Sequence, residues 1–209
     1  MSQYFRIHPT HPQQRLLNQA ATILRQEGLI VYPTDSGYAL GCQVGNKAAA
    51  DRIRHLRGLG TRHEFSLVSR DLSEFSLYAR IGNSAFRLLK ALTPGAYTFI
   101  FKATREVPRR LQDPKRRTIG IRVPDNPITQ ALLAILGEPL ISSTLILPRE
   151  EMPLTDPEEI RDRIGNQVDL IIDGGYCGFE PTTVVDLVED VPKIIREGKG
   201  DTSPFKIES

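Results

Sequence analysis

The stretch Leu29-Ile30-Val31-Tyr32-Pro33-Thr34-Asp35-Ser36-Gly37-Tyr38-Ala39-Leu40-Gly41 decides the reading of this chain. Four apolar residues of strand type run into Pro33. A cluster of hydroxyls, one carboxylate and two glycines follows. A buried strand that ends in Thr-Asp-Ser-Gly-Tyr places polar groups at a strand terminus, where open α/β sheets keep their ligand crevice. The glycines let backbone amides approach an anion or a carboxylate. A plain polar turn after a strand accounts for Pro33 and Gly37 equally well, so the stretch needs its context.

Working outward, apolar spacing predicts helices at Pro12–Glu27, Ala48–Leu56, Asn83–Leu92, Pro127–Leu136 and Asp156–Ile164. Gly28 is a stop for the first. Asp71 or Ser73 is a cap for a brief helix, Asn83 a cap for the third long one, and Asn126 with Pro127 opens the fourth. Strands are expected at Leu29–Tyr32, Phe65–Val68, Tyr97–Phe101, Thr118–Val123, Leu140–Leu147, Val168–Ile172, Thr183–Leu187 and Lys193–Arg196. Helices and strands alternate early and strands accumulate late. This predicts one α/β domain around a mixed sheet with flanking helices over residues 1–209, with its core between about Pro12 and Gly200 and a polar tail at 201–209. There is no internal repeat, low-complexity segment or linker.

The 209 residues are 40% hydrophobic and 25% charged, with a net charge of +2. That is an ordinary globular composition, and the overall balance does not argue for nucleic acid. Cys42 and Cys177 have no metal spacing and are expected as reduced thiols. Met1–Pro12 lacks the apolar core of a signal peptide and no run reaches membrane-spanning length, so a cytoplasmic location is expected.

Charge is nevertheless uneven. Arg105, Arg109, Arg110, Lys115, Arg116 and Arg117 crowd one segment against only Glu106 and Asp113. Such a local positive field suits a polyphosphate or a nucleic-acid backbone; a solvated loop face is the plain alternative. Arg122 differs, lying between Ile121 and Val123 within a strand pattern. An arginine in that setting is either paired internally or binds an anion. Arg196 is a second arginine at a strand end. Ser142, Ser143 and Thr144 interrupt one apolar strand, and Thr182 and Thr183 open another, though threonine is common in strands. No Walker A loop, GxGxxG after a strand, HExxH or GxSxG occurs, and the four histidines form no metal spacing. No nucleophile and base can be paired from the sequence. What remains is the positioning of anions by arginines, hydroxyls and amides.

Taken in order, five blocks resemble the YrdC/YciO family of L-threonylcarbamoyladenylate synthases and their paralogues. Pro33 to Gly41 is similar to the family's Pro-Thr-Glu-Thr-x-Tyr-Gly-Leu-Gly block, and Pro94 to Thr98 to its Pro-Gly-x-x-Thr block. Ile119 to Pro124 with Asn126-Pro127 resembles Val-Arg-Val-Pro-x-x-Pro. Asp173-Gly174-Gly175 with Thr182 to Asp186 resembles Asp-Gly-Gly…Ser-Thr-Val-Val-Asp, and Ile195 to Gly198 resembles Leu-Arg-x-Gly. The resemblance spans about Ala20 to Gly198. It implies a YrdC-like twisted mixed sheet with a basic concave face.

The implied reaction joins L-threonine and bicarbonate as a carbamate, whose carboxylate attacks the α-phosphate of ATP; pyrophosphate leaves and threonylcarbamoyl-AMP, used in tRNA modification, is the product. Mg2+ is expected on the triphosphate. By position the resemblance puts Thr34, Asp35 and Tyr38 at the threonine pocket, Arg122, Ser143, Thr183 and Arg196 at the nucleotide, and Arg57 and Thr144 in catalytic places. The basic concave face also suits double-stranded RNA or tRNA, with the cations of 105–117 as contacts.

Two departures stand out. The synthases' Lys-x-Arg falls on Arg57 and Leu59, and their Ser-x-Asn falls on Thr144 and Ile146. Both losses are similar to the YciO branch and imply reduced synthase activity. They leave open an RNA-binding module without catalysis, or an enzyme adenylating another carbamate or carboxylate.

Overall fold

The computed structural model describes residues 2–60, 65–189 and 191–205. The Leu29 run continues through Pro33 as β2 (Ile30–Thr34), turns at Asp35-Ser36 and returns as β3 (Gly37–Gln43). Pro33 does not end the strand as the sequence suggests. β2 pairs with its outer neighbour only at Ile30 and Val31, so the N–H that proline lacks is not required of the ladder at Pro33. Gly37 has φ +134°, which a side chain would oppose, and so allows the tight return. The glycine-rich half of the stretch is therefore a strand, not a turn.

The remaining strands are β1 (Gln3–Arg6), β4 (Ser66–Val68), β5 (Tyr97–Lys102), β6 (Thr118–Arg122), β7 (Leu140–Thr144), β8 (Leu170–Asp173), β9 (Thr183–Asp186) and β10 (Lys193–Arg196). They form one mixed sheet in the order β1-β8-β2-β3-β7-β4-β6-β5-β9-β10. The helices are α1 (Gln14–Arg25), α2 (Lys47–Arg57), α3 (Phe75–Tyr78), α4 (Asn83–Leu92), α5 (Pro127–Leu136) and α6 (Pro157–Ile164). This is the expected single α/β domain. Among the described residues no helix is long and apolar enough to cross a membrane.

Local chemistry sets the element ends. Asn126 accepts from the Thr129 amide at 3.1 Å with Pro127 in the first turn, as expected. Asp71, rather than Ser73, caps its short helix by accepting from the Ser73 amide at 2.8 Å. Asn83 is not a cap: Gly82 holds that position and Asn83 is already helical. Strand β1 was not foreseen, because only Tyr4 and Phe5 stand between two exposed polar ends and two residues carry no period; it is held by parallel pairing to β8.

Alternation places the core and the open surface. Phe99 and Phe101 of β5, Ile119 and Ile121 of β6, and Ile141 of β7 point to one face, under α2, α3, α4 and α6. On the opposite face α1 and α5 pack over Ile30, Tyr32, Ala39, Leu170 and Ile172. They do not extend over β6, β5 and β9, where that face presents Gly120, Thr98 and Val184 to a cleft.

The end of the chain is not a polar tail as far as it is described. Phe205 is 6% exposed, with its ring 6.0 Å from Tyr97 and 6.4 Å from Phe99; residues 206–209 lie outside the described range. Replacing Phe205 by Ala should cost about 3 kcal/mol, read as a lower urea midpoint with unchanged slope. A change within 0.5 kcal/mol would show that the C-terminal packing contributes nothing.

Candidate functional site

The uncovered part of the sheet forms a cleft of about 320 Å³. Its floor is built from alternate positions of five strands: Ser142 on β7, Ser66 on β4, Gly120 on β6, Thr98 and Ile100 on β5, and Val184 on β9. A Cβ on Gly120 would stand 2.9 Å from Ser66 Oγ and 3.0 Å from Thr98 Cγ2, so glycine keeps the floor flat and the strands close. Tyr32 donates to Ser142 Oγ at 2.6 Å from beneath α1 and α5. The Thr98 and Thr182 hydroxyls are 2.8 Å apart at the β5–β9 junction.

Three arginines line this floor. Arg57, at the end of α2 before the left-handed Gly58, donates from Nη1 to Ser143 Oγ at 2.7 Å and from Nε to the Ile146 carbonyl at 3.2 Å. Burial lowers its pKa. Arg196 donates to the Thr182 carbonyl from Nε at 3.2 Å and from Nη2 at 2.9 Å. Its pKa is lowered first by burial and second by the charge of Arg122. Arg122 donates from Nη2 to Asp35 Oδ1 at 2.8 Å and to Ser36 Oγ at 3.1 Å. Its Nε is buried with no partner. Desolvated cations that repel one another are stabilised by an anion between them. The arrangement can therefore bind and align anionic groups.

Of the residues singled out in the sequence, Arg57, Arg122, Ser143, Thr144 and Arg196 meet at this cleft. Thr183 does not. It is fully buried on the other side of β9, donating to the Gly200 carbonyl at 2.6 Å, and its neighbour Thr182 faces the cleft. Thr34, Asp35 and Tyr38 are not lining residues either. The Thr34 hydroxyl closes the hairpin turn onto the Gly37 carbonyl at 2.6 Å. Tyr38 is buried, donates to the Gly175 carbonyl at 2.6 Å and accepts from the Gly174 amide at 3.2 Å. Asp35 holds Arg122.

In the basic segment, Arg116 pairs with Asp186 at 2.6 Å, and Arg110 donates to the Gly45 carbonyl at 3.2 Å. Arg105, Arg109, Lys115 and Arg117 are exposed. Sequence reasoning missed Ser66, Thr98 and Gly120. Their signal is a small or hydroxyl-bearing residue among the large apolar ones of a strand, broken on β5 by Ile100.

The expected absence of asparagine at position 146 has a structural setting. β7 ends at Thr144, and Ile146 lies beyond it as a half-buried lining residue, not within an apolar strand. Leu59 is half-buried and does not line the cleft.

A family model described as "Telomere recombination", covering the Sua5, YciO and YrdC proteins, matches residues 22–198. The chain belongs to the Sua5/YciO/YrdC family. Within this family it is 60% identical to YciO of Escherichia coli, whose crystal structure superposes with a TM-score of 0.94 over 99% of this chain and 100% of that one. It is 30% identical to a threonylcarbamoyl-AMP synthase of Halorhodospira halophila, over 81% of this chain and 89% of that protein. Sua5 of P. abyssi, solved in complex with L-threonine, shares the fold at 23% identity with a TM-score of 0.86, over 93% of this chain and 57% of that one. The chain is thus a YciO-branch member, with the synthases as more distant relatives.

Neither cysteine lines the cleft. Burial pushes the Cys42 thiol up to about 12 and the Cys177 thiol up to about 11, from 9.0. Burial also pushes Tyr32 up to about 12 from 10.0. The folded state holds these protons where the unfolded chain has released them. Their contribution is whole below pH about 9 and falls as pH rises through about 11 and 12. Urea titrations should show stability declining from pH 9 upward, with less decline in Cys42→Ala. A flat profile between pH 9 and 11 would contradict the buried, protonated thiols.

Proposed function

We propose that this protein binds ATP, L-threonine and bicarbonate in the arginine-lined cleft and is a weak threonylcarbamoyl-AMP synthase-like enzyme. The observation that carries the reading is the convergence of Arg57, Arg122 and Arg196 on one hydroxyl-lined floor. Attack of a carbamate carboxylate on an α-phosphate requires alignment and neutralisation of charge more than a covalent nucleophile. Arg122 and Arg196 neutralise phosphate oxygens in this reading, and the pyrophosphate they hold is the leaving group. Ser143, Thr144 and Thr182 orient the nucleotide, and Arg57 stabilises charge developing at phosphorus. Mg2+ arrives with the triphosphate. Thr34 and Tyr38 serve as the frame of the hairpin beside the threonine.

The departures at positions 59 and 146 remove two polar groups. Loss of one donor to a transition state typically costs ~10²–10³-fold. Wild type should therefore release pyrophosphate slowly, with product detected by mass spectrometry only when ATP, threonine and bicarbonate are all present. Leu59→Arg with Ile146→Asn should raise that rate. Ile146 is half-buried at the cleft, so the asparagine amide reaches solvent or ligand and the folding cost stays below that of a buried unpaired amide, about 1–3 kcal/mol. A stable double variant with no gain, alongside wild type inactive with threonine, would replace this reading by adenylation of another carbamate or carboxylate.

A second reading rests on Arg105, Arg109, Lys115 and Arg117, four of the exposed cations carried with Arg116 on the segment between β5 and β6. RNA held by its backbone on this loop would dissociate steeply with salt. Neutralising three of the four should flatten that dependence at unchanged melting temperature. Absence of RNA binding at 50 mM salt would remove it.

A further inference from the structure

Asp35 was expected from the family resemblance to touch substrate. The structure gives it different work. Its side chain and that of Arg122 are each 7% exposed and 2.8 Å apart. In the sheet, β2 and β6 stand four places apart, which at about 4.8 Å per strand is roughly 19 Å. The Asp35-Ser36 turn therefore leans across β3, β7 and β4 to meet Arg122. Two separate segments converge on this one residue, the end of β6 with the three residues after it and Lys199 near the end of the described chain. Oδ1 takes the Arg122 guanidinium, Oδ2 takes the Asp125 amide at 2.9 Å, and the main-chain carbonyl takes Lys199 Nζ at 2.5 Å. Ser36 Oγ holds the same Nη2 at 3.1 Å. The guanidinium is thus held through Nη2, while Arg122 lines the cleft and its Nε is buried with no partner.

We propose that Asp35 is a positioning residue: it anchors Arg122 through Nη2 so that the other N–H groups of the guanidinium are left for an anion in the cleft. The proposal rests on the anion-binding reading of the cleft. It goes beyond that reading in assigning Asp35 to Arg122 and not to the substrate. The ligand class it implies is a phosphoryl or pyrophosphoryl group that Arg122 reaches with N–H donors left over from the ion pair.

The consequence is an exchange of partners. In Asp35→Asn the buried guanidinium keeps a hydrogen bond but loses its counter-charge, and an anion in the cleft then supplies it. Inorganic pyrophosphate is the probe, with melting temperature and calorimetric affinity as readouts on the full chain. D35N should melt below wild type without the anion, and saturating pyrophosphate should raise its melting temperature about 3 °C more than it raises that of wild type. D35E keeps the charge but pushes the guanidinium away by one methylene. It should show no such extra gain, with pyrophosphate affinity lowered about ten-fold or more. R122Q should lose most of the affinity.

A salt bridge that is only structural gives a different pattern: D35N destabilised with the same pyrophosphate gain as wild type, and D35E with wild-type affinity. Either result overturns the proposal. If D35N does not fold, the D35E affinity decides alone. Wild type that binds pyrophosphate yet makes no product from ATP, threonine and bicarbonate would end the synthase-like reading while leaving Asp35 its role. No pyrophosphate binding by wild type would end both.

Discussion

The sheet is wider than the helices that cover one of its faces. Ten strands make nine spacings of about 4.8 Å, roughly 43 Å before twist. Two helices of about 10 Å diameter cover about half of that. α1 and α5 lie over the β8-β2-β3 half, and among the described residues no helix follows them across β6, β5 and β9. An uncovered face of that size cannot be lined with large apolar side chains without exposing a sticky patch. The chain answers with Gly120, Ser66, Ser142 and Thr98 beside only two larger apolar residues, Ile100 and Val184, while the same strands send phenylalanine and isoleucine to the covered face. A concave polar floor is therefore a consequence of sheet width and helix count before any ligand is considered.

Electrostatics turns that floor into a site. An arginine brought partly out of water loses solvation that a neutral carbonyl does not replace in full. Arg196 rests on the Thr182 carbonyl, and Arg57 on the Ile146 carbonyl and the Ser143 hydroxyl. Arg122 alone of the three has a carboxylate among the described residues. Breaking a buried pair of this kind by removing one partner costs about 3–5 kcal/mol, because the other charge is left buried without compensation, so neither Asp35 nor Arg122 can be lost singly without cost to the fold. Structure and site are coupled here: the pair that closes the hairpin over the sheet also fixes one cation of the cleft.

Much of this was legible in the chain, for identifiable reasons. Helices with strong apolar stripes and recognisable caps, such as that opened by Asn126-Pro127, depend on local chemistry. Arg122 drew notice because a charged residue in an apolar strand demands a partner. Strand β3 was hidden because Pro33 and Gly37 read as a polar turn and the small residues Ala39, Gly41 and Cys42 add little apolar signal. Their small size has a tertiary cause: a Cβ on Gly41 would stand 2.6 Å from the Tyr32 ring. Thr182 and Thr183 show a different limit. Adjacent residues on a strand face opposite ways, and which of them faces the cleft depends on a register that neither residue announces. Ser66 and Thr98 could have been found by asking which strands keep one face small, a question about the whole sheet.

The altered positions are best understood through Arg57. In this chain the main-chain carbonyl of Ile146 accepts from Arg57 Nε, so position 146 already supports the arginine even though its side chain offers no hydrogen bond. An amide placed there would line the same cleft as this guanidinium and the Ser143 hydroxyl that Arg57 holds. It would alter the aim of Arg57 as well as add a donor. Residues that share a partner do not contribute additively. The apolar side chain at 146 and the arginine at 57 are accordingly one unit, and the chemistry available to this cleft depends on how that unit divides its donors between the protein and an incoming anion.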